Sequence, residues 1–278
     1  MNLTFRSFAT VSVAALAALS LAAPKVTLDI EAYASSSRPM GPYQNDDKHH
    51  YVGSSTLIAS ANANASGGGT GFGHAEGIVG FGLIHGLVSD STTYGSAIPF
   101  VTNSSSGFGT IDGIYEDTIT IKSATLPFGT PVALKQTLHA HGILTRSGFY
   151  STSFYLALAG GFGLTTNIGV SQSINQNDIA TQLIIQQDII RTVMVHVGDV
   201  LPVFGELNVI AVSTSSPNQP FGASQVNGLQ TAGQMLSITT PGAYFTSASG
   251  AQYAAVPEPG SVAVLAIGLI GILRRRKK

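Results

Sequence analysis

The chain has 278 residues, 10% of them charged, with 32 glycines, no cysteine and a formal net charge of −1. The missing cysteines exclude a disulfide framework, a thiolate metal site and a cysteine nucleophile. Setting aside Arg6 and the five basic residues Arg274–Lys278 leaves seven of 13 basic groups, and setting aside Glu258 leaves 13 of 14 acidic ones, so the body sits near −6. That sign argues against a nucleic-acid partner, because phosphate contacts need a basic face.

At the N-terminus, Arg6 precedes an uncharged Val/Ala/Leu/Ser stretch over 11–23. A short basic region followed by an apolar one is the layout of a secretory signal peptide, read here as residues 1–22, addressed to the Sec export machinery. Ser20 and Ala22 suit cleavage after Ala22. The second A-x-A, Ala32-Tyr33-Ala34, is separated from the apolar stretch by Lys25, Asp29 and Glu31 and ranks behind it.

Residues 23–255 read as one all-β passenger domain. Val26, Leu28, Ile30 and Ala32 alternate with Thr27, Asp29, Glu31 and Tyr33, the period of a half-buried strand. Asp117–Lys122 repeats it, and further runs are Val132–Leu144, Ser151–Ala159, Leu183–Val197, Val200–Val212 and Met235–Thr239. Leu183–Val197 also fits a helix. Turns are expected at Asp112-Gly113, Pro127–Pro131, Ser147-Gly148, Gly198-Asp199, Pro217–Pro220 and Pro241-Gly242. Arg38–Lys48 and Ser213–Gly228 read as exposed loops; Ser60–Gly73 reads as a flexible loop or a flat Ala/Asn strand. Many short strands with frequent turns predict an antiparallel β-sandwich, jelly-roll-like, flanked by an N-terminal signal helix and a short C-terminal membrane helix.

Chemistry is sparse along this body. His139-Ala140-His141 puts two imidazoles on one side of a strand, where both could reach one Zn²⁺. Spacing implies no third ligand, and a solvated polar face with Lys135 and Thr137 is the favoured reading. Calcium is the more plausible ion, at Asp112, Glu116 and Asp117 around an expected turn, with Asp46 and Asp47 in another; solvated turn acids remain the simpler account, and no cofactor is required. His49, His50, His74, Glu76 and His85 share no catalytic spacing, and His196 and Asp199 flank a turn. No G-x-S-x-G elbow, phosphate loop or dinucleotide fingerprint occurs.

The last 23 residues are the most specific. Pro257, Glu258 and Pro259 form a rigid, extended tripeptide. Val262 to Leu273 carries no charge, and Arg274, Arg275, Arg276, Lys277 and Lys278 resist translocation. Tripeptide, apolar helix and basic end, in that order, resemble the PEP-CTERM sorting signal of exported proteins from Gram-negative, polysaccharide-producing bacteria, over residues 256–278. The resemblance implies processing by an exosortase. Twelve apolar residues make roughly 18 Å of helix against a hydrocarbon core of about 30 Å, which suits a transient stop in the inner membrane better than a permanent anchor. Ile238–Tyr253 is similar to the endings of β-sandwich passengers of such proteins, which implies a last strand that hands the chain to the signal.

The expectation is an exported, exosortase-sorted structural or adhesive protein of the cell surface or extracellular matrix, without catalytic activity, associated with exopolysaccharide. A carbohydrate-binding module is the alternative, with Tyr43, Tyr51, Tyr94 and Tyr115 as candidate sugar-stacking rings; a secreted hydrolase is the third.

Overall fold

A computed structural model describes residues 23–36, 43–66, 69–94, 105–148, 152–162, 168–174, 181–215 and 221–253. The expected signal peptide, the Pro217–Pro220 turn and the whole sorting tail lie outside them. Thirteen strands follow one another: β1 (Lys25–Ser36), β2 (Tyr43–Gly53), β3 (Leu57–Ser66), β4 (Gly69–Gly80), β5 (Leu83–Tyr94) and β6 (Ser105–Ser123). Then come β7 (Pro131–Gly148), β8 (Thr152–Phe162), β9 (Ile168–Ile174), β10 (Gln182–His196), β11 (Val200–Ser215), β12 (Phe221–Ile238) and β13 (Ala243–Ser247). No helix occurs among the described residues.

The strands form two antiparallel sheets packed face to face. One runs β2-β1-β6-β11-β8-β9 and the other β10-β7-β12-β5-β4-β3. Because β6 has 19 residues and β1 only 12, β1 covers β6 from Ser105 to Glu116 and β13 takes the stretch from Ile119 to Ser123. The last strand is therefore seated beside the longest one.

Alternation builds the core. Val26, Leu28, Ile30, Ala32 and Ala34 of β1 are all buried, and Ile111, Tyr115, Ile119 and Ile121 of β6 belong to the same core. Leu134, Leu138 and Leu144 of β7 supply the second sheet's inner face, with Leu207 and Val209 of β11 opposite. The core tapers along its length. Towards the β1 C-terminus the inner positions are Ala32, Ala34, Ala61, Ala63, Ala65, Ala75 and glycine, and the sheets come into backbone contact. A Cβ at Gly73 would lie 2.2 Å from the Phe108 carbonyl oxygen, and one at Gly107 would lie 2.1 Å from that of Phe72. Face-to-face sheets ordinarily sit about 10 Å apart, so only glycine permits this approach.

Several expectations need correction. Of the two readings of Ser60–Gly73, the strand holds and the flexible loop does not: residues 60–66 belong to β3 and 69–73 to β4, and their buried alanines and glycines line the thin end of the core. Residues 43–48 of the expected loop Arg38–Lys48 belong to edge strand β2, whose charges suit an unpaired edge. The Asp47 carboxylate there accepts from the Asn62 backbone N–H at 2.8 Å, covering part of the other sheet's edge. Leu183–Val197 follows the strand reading rather than the helical alternative, as β10 up to His196, with Val197 entering the turn. Asp112-Gly113 is no turn but mid-strand in β6, and most of Ser213–Gly228 belongs to β11 and β12. Serine is not only a surface residue: Ser36, Ser105, Ser213, Ser215 and Ser224 are buried at the thin end around Asp90 and Thr92. The expected turns at Pro127–Pro131, Gly198-Asp199 and Pro241-Gly242 are present.

Candidate functional site

The alternation of β7 buries Leu138 and Ala140 and turns His139 and His141 to the outer face of the sheet. Edge strand β10 lies alongside in a register that pairs Asp188 with His139. Cross-strand partners share a face, so the carboxylate reaches both rings. Its Oδ1 is 2.6 Å from His139 Nδ1 and 3.2 Å from His141 Nε2. From the other neighbour, β12, Met235 brings its Sδ to 2.9 Å from His139 Nε2. The two rings sit edge to face, 6.1 Å apart between centroids.

A local irregularity accompanies the cluster. Asn227 of β12 pairs with Ile143 and Thr231 with His141, so three β12 residues oppose the single position Gly142 of β7. Bulges of this kind re-aim side chains and often flank sites.

Ligand atoms of His139, His141 and Asp188 all lie within 4.8 Å of one another. Among the described residues this is the group whose donors converge on one point. Burial pushes the Asp188 carboxyl up, but hydrogen bonds and charge from His139 and His141 outweigh it and hold the group below the usual carboxylate range. Sequence spacing supplied the histidine pair; the third donor, 49 positions away from His139, is visible only through strand register.

The calcium trio is not brought together. Asp112 and Glu116 face outward on β6, four positions apart and hence about 13 Å along the strand, while Asp117 points inward. The Asp117 carboxylate is occupied by the chain itself. It accepts from the backbone N–H of Thr118 at 2.7 Å and of Ser249 at 3.1 Å, from the Ser249 hydroxyl, and from the Tyr253 hydroxyl at 2.9 Å. Asp46 and Asp47 sit on strand β2 rather than in a loop. Asp112 faces Asp29 across the ladder, and burial, together with the charges of Glu206 and Asp29, pushes it up to about 6.

The remaining histidines are not drawn into a common cluster. His49 pairs with Asp47, His50 with Asp29, His74 with Asn62 and His196 with Asp199. His85 is largely buried, its Nε2 has no hydrogen-bond partner, and burial pushes it down. Of the candidate sugar platforms, Tyr115 is a core residue at 1% exposure and cannot stack on a ligand. Tyr51 is exposed beside the stacked ring of His49. A groove of about 380 Å³ opens on the outer face of the β1–β6–β11 sheet, where Asp29, Glu31, Lys48, Asp112 and Asn208 surround Phe108.

Comparison with known proteins places the PEP-CTERM protein-sorting motif at residues 255–277. No curated protein and no solved structure matches the chain.

Proposed function

We propose that this chain, which carries the PEP-CTERM protein-sorting motif at residues 255–277, is an exosortase-sorted structural or adhesive protein of the cell surface or extracellular matrix of a Gram-negative bacterium, without catalytic activity. The motif carries the reading. Its support from the fold is that the last described residue, Tyr253, is buried and fastened to β6, two residues before the sorting motif begins. The residues 1–22 signal peptide delivers the chain to Sec, the 262–273 segment halts it transiently in the inner membrane, and exosortase acts next to Pro257-Glu258-Pro259. A mildly acidic sandwich with few charges and abundant outward Ser, Thr and Asn suits association with exopolysaccharide.

The deciding experiment is fractionation of the native host expressing the full chain or a variant lacking 256–278. The full chain is expected in the surface or matrix fraction, with the tail removed. The truncated one is expected in periplasm or medium. Unchanged location of the truncated protein would overturn the reading.

A second reading, carbohydrate binding, is favoured by the groove around Phe108, which combines an aromatic ring with several polar groups as sugar sites do. A glycan array compared between wild type and Phe108→Ala tests it; hits lost in the variant support it, and an array without hits ends it.

A further inference from the structure

We propose that His139, His141 and Asp188 form a binding site for one divalent d-block cation of the zinc or copper class, which fastens edge strand β10 to β7. Two imidazoles and a carboxylate on a water-accessible face are the donor set that such borderline ions prefer. Magnesium or calcium would call for mainly oxygen ligands.

The hydrogen bonds of His139 carry the argument further. Its Nδ1 faces the Asp188 carboxylate and its Nε2 faces the Met235 thioether, so both ring nitrogens meet acceptors. A neutral imidazole has a single N–H and can serve only one of them. A cation at Nδ1 replaces the proton on that side and leaves the Nε2 proton for Met235. Metal-bound histidines characteristically donate their second N–H to an outer partner that fixes the tautomer, and Met235 stands in that position. The cation would bind His139 through Nδ1, His141 through Nε2 and Asp188 through a carboxylate oxygen.

The present separations of 2.6 and 3.2 Å are those of hydrogen bonds. Tetrahedral ligands at zinc lie about 3.3 Å apart, so Asp188 needs to withdraw by less than an ångström from His139. Its side chain, 48% exposed on an edge strand, has room to do so. The two rings, at 29% and 26% exposure, leave the fourth coordination position open to water. Ligands from two strands make the ion a cross-link. Strand β10 needs one, because it presents Ile184, Ile190 and Met194 to solvent and has β7 as its paired neighbour.

The test uses the untagged full chain, stripped of metal and titrated calorimetrically with Zn²⁺ alone and with Cu²⁺ alone. One equivalent is expected to bind. His141→Gln and Asp188→Asn should lose that equivalent, with far-UV circular dichroism unchanged. Met235→Leu, which keeps all three ligands, should weaken it about 10- to 100-fold. A His49→Gln/His50→Gln double variant, which removes two other exposed histidines, should bind as wild type does. The electron paramagnetic resonance spectrum of the Cu²⁺ form should carry hyperfine structure from two nitrogens. Absence of saturable binding, survival of binding in His141→Gln, or its loss in the His49/His50 control would overturn the proposal.

Discussion

The Tyr253 hydroxyl donates to the Asp117 carboxylate at 2.9 Å, joining residues 136 positions apart. Around that bond the C-terminal strap is fixed to β6. Ser249 gives the same carboxylate its backbone N–H and its hydroxyl, and Leu236 N–H bonds the Tyr253 carbonyl at 3.0 Å. Tyr253 holds a φ of +42°, a conformation uncommon outside glycine, which this set of bonds maintains.

Asp117→Ala should therefore destabilise the protein by about 2–4 kcal/mol, since it leaves buried donors without an acceptor. The strap 248–253 should become a preferred site of limited proteolysis. Asp117→Asn keeps one acceptor oxygen and should cost less. Urea denaturation and mass mapping of the fragments measure both effects.

Gly73→Ala should cost about 3 kcal/mol or more, because the added methyl meets the backbone oxygens of Phe108 and Tyr33, at 2.2 and 2.6 Å, which cannot move aside independently of their strands. Gly129→Ala is the control. That glycine has φ +79° with nothing near its absent Cβ, so the change should cost only the backbone term of about 1–2 kcal/mol. Similar denaturation midpoints for the two variants would refute the backbone contact between sheets.

Asp90 is buried at 3% exposure, and burial pushes its carboxyl up to about 7 against the opposing hydrogen bonds from the Ser224 backbone N–H and hydroxyl. Between the unfolded value near 3.8 and the folded value near 7, the folded state holds a proton that the unfolded state has released. The contribution to stability is thus full below pH 4, declines as pH rises to about 7 and is flat beyond. Asp90→Asn should remove this decline and gain up to a few kcal/mol over wild type at pH 8. The difference between the two stability profiles from pH 4 to 8 isolates it from other groups, and parallel profiles would contradict it.

The mature N-terminus should lie at Ala23 rather than Ser35. Cleavage after Ala34 would delete most of β1, whose inner residues are in the core and whose ladder joins β2 to β6. Intact mass of the exported protein decides the point.

Strands carried by branched and aromatic residues were legible in the sequence: β1, the second half of β6, β7 and β11 announce themselves by alternation. The thin end was legible only as one of two alternatives, a flexible loop or a flat strand. Ala61, Ala63, Gly71 and Gly73 are inward-facing, yet their hydropathy is that of a linker, and only the approach of the opposite sheet makes small size the requirement. Hydropathy also misled at β2, where an edge strand with both faces wetted carries the composition of a loop. At the site, His139 and His141 were readable from i, i+2 spacing, because that spacing is a property of one strand. Asp188 and Met235 were not, because their proximity depends on β10 and β12 flanking β7 in a particular register. Tyr115, read as a ring for sugars, is a core residue whose hydroxyl bonds Gln234.

The seating of β13 against β6 also sets how the molecule bears load. Tension entering at residue 255 passes first to the Asp117 clamp and then to the five residue pairs of the β13–β6 ladder. Only after these yield does it reach β12, the next strand back along the chain, which is held by β7 on one side and β5 on the other. Under a steady pull, the strap and β13 would peel away as a short extensible leash while the two sheets stay closed.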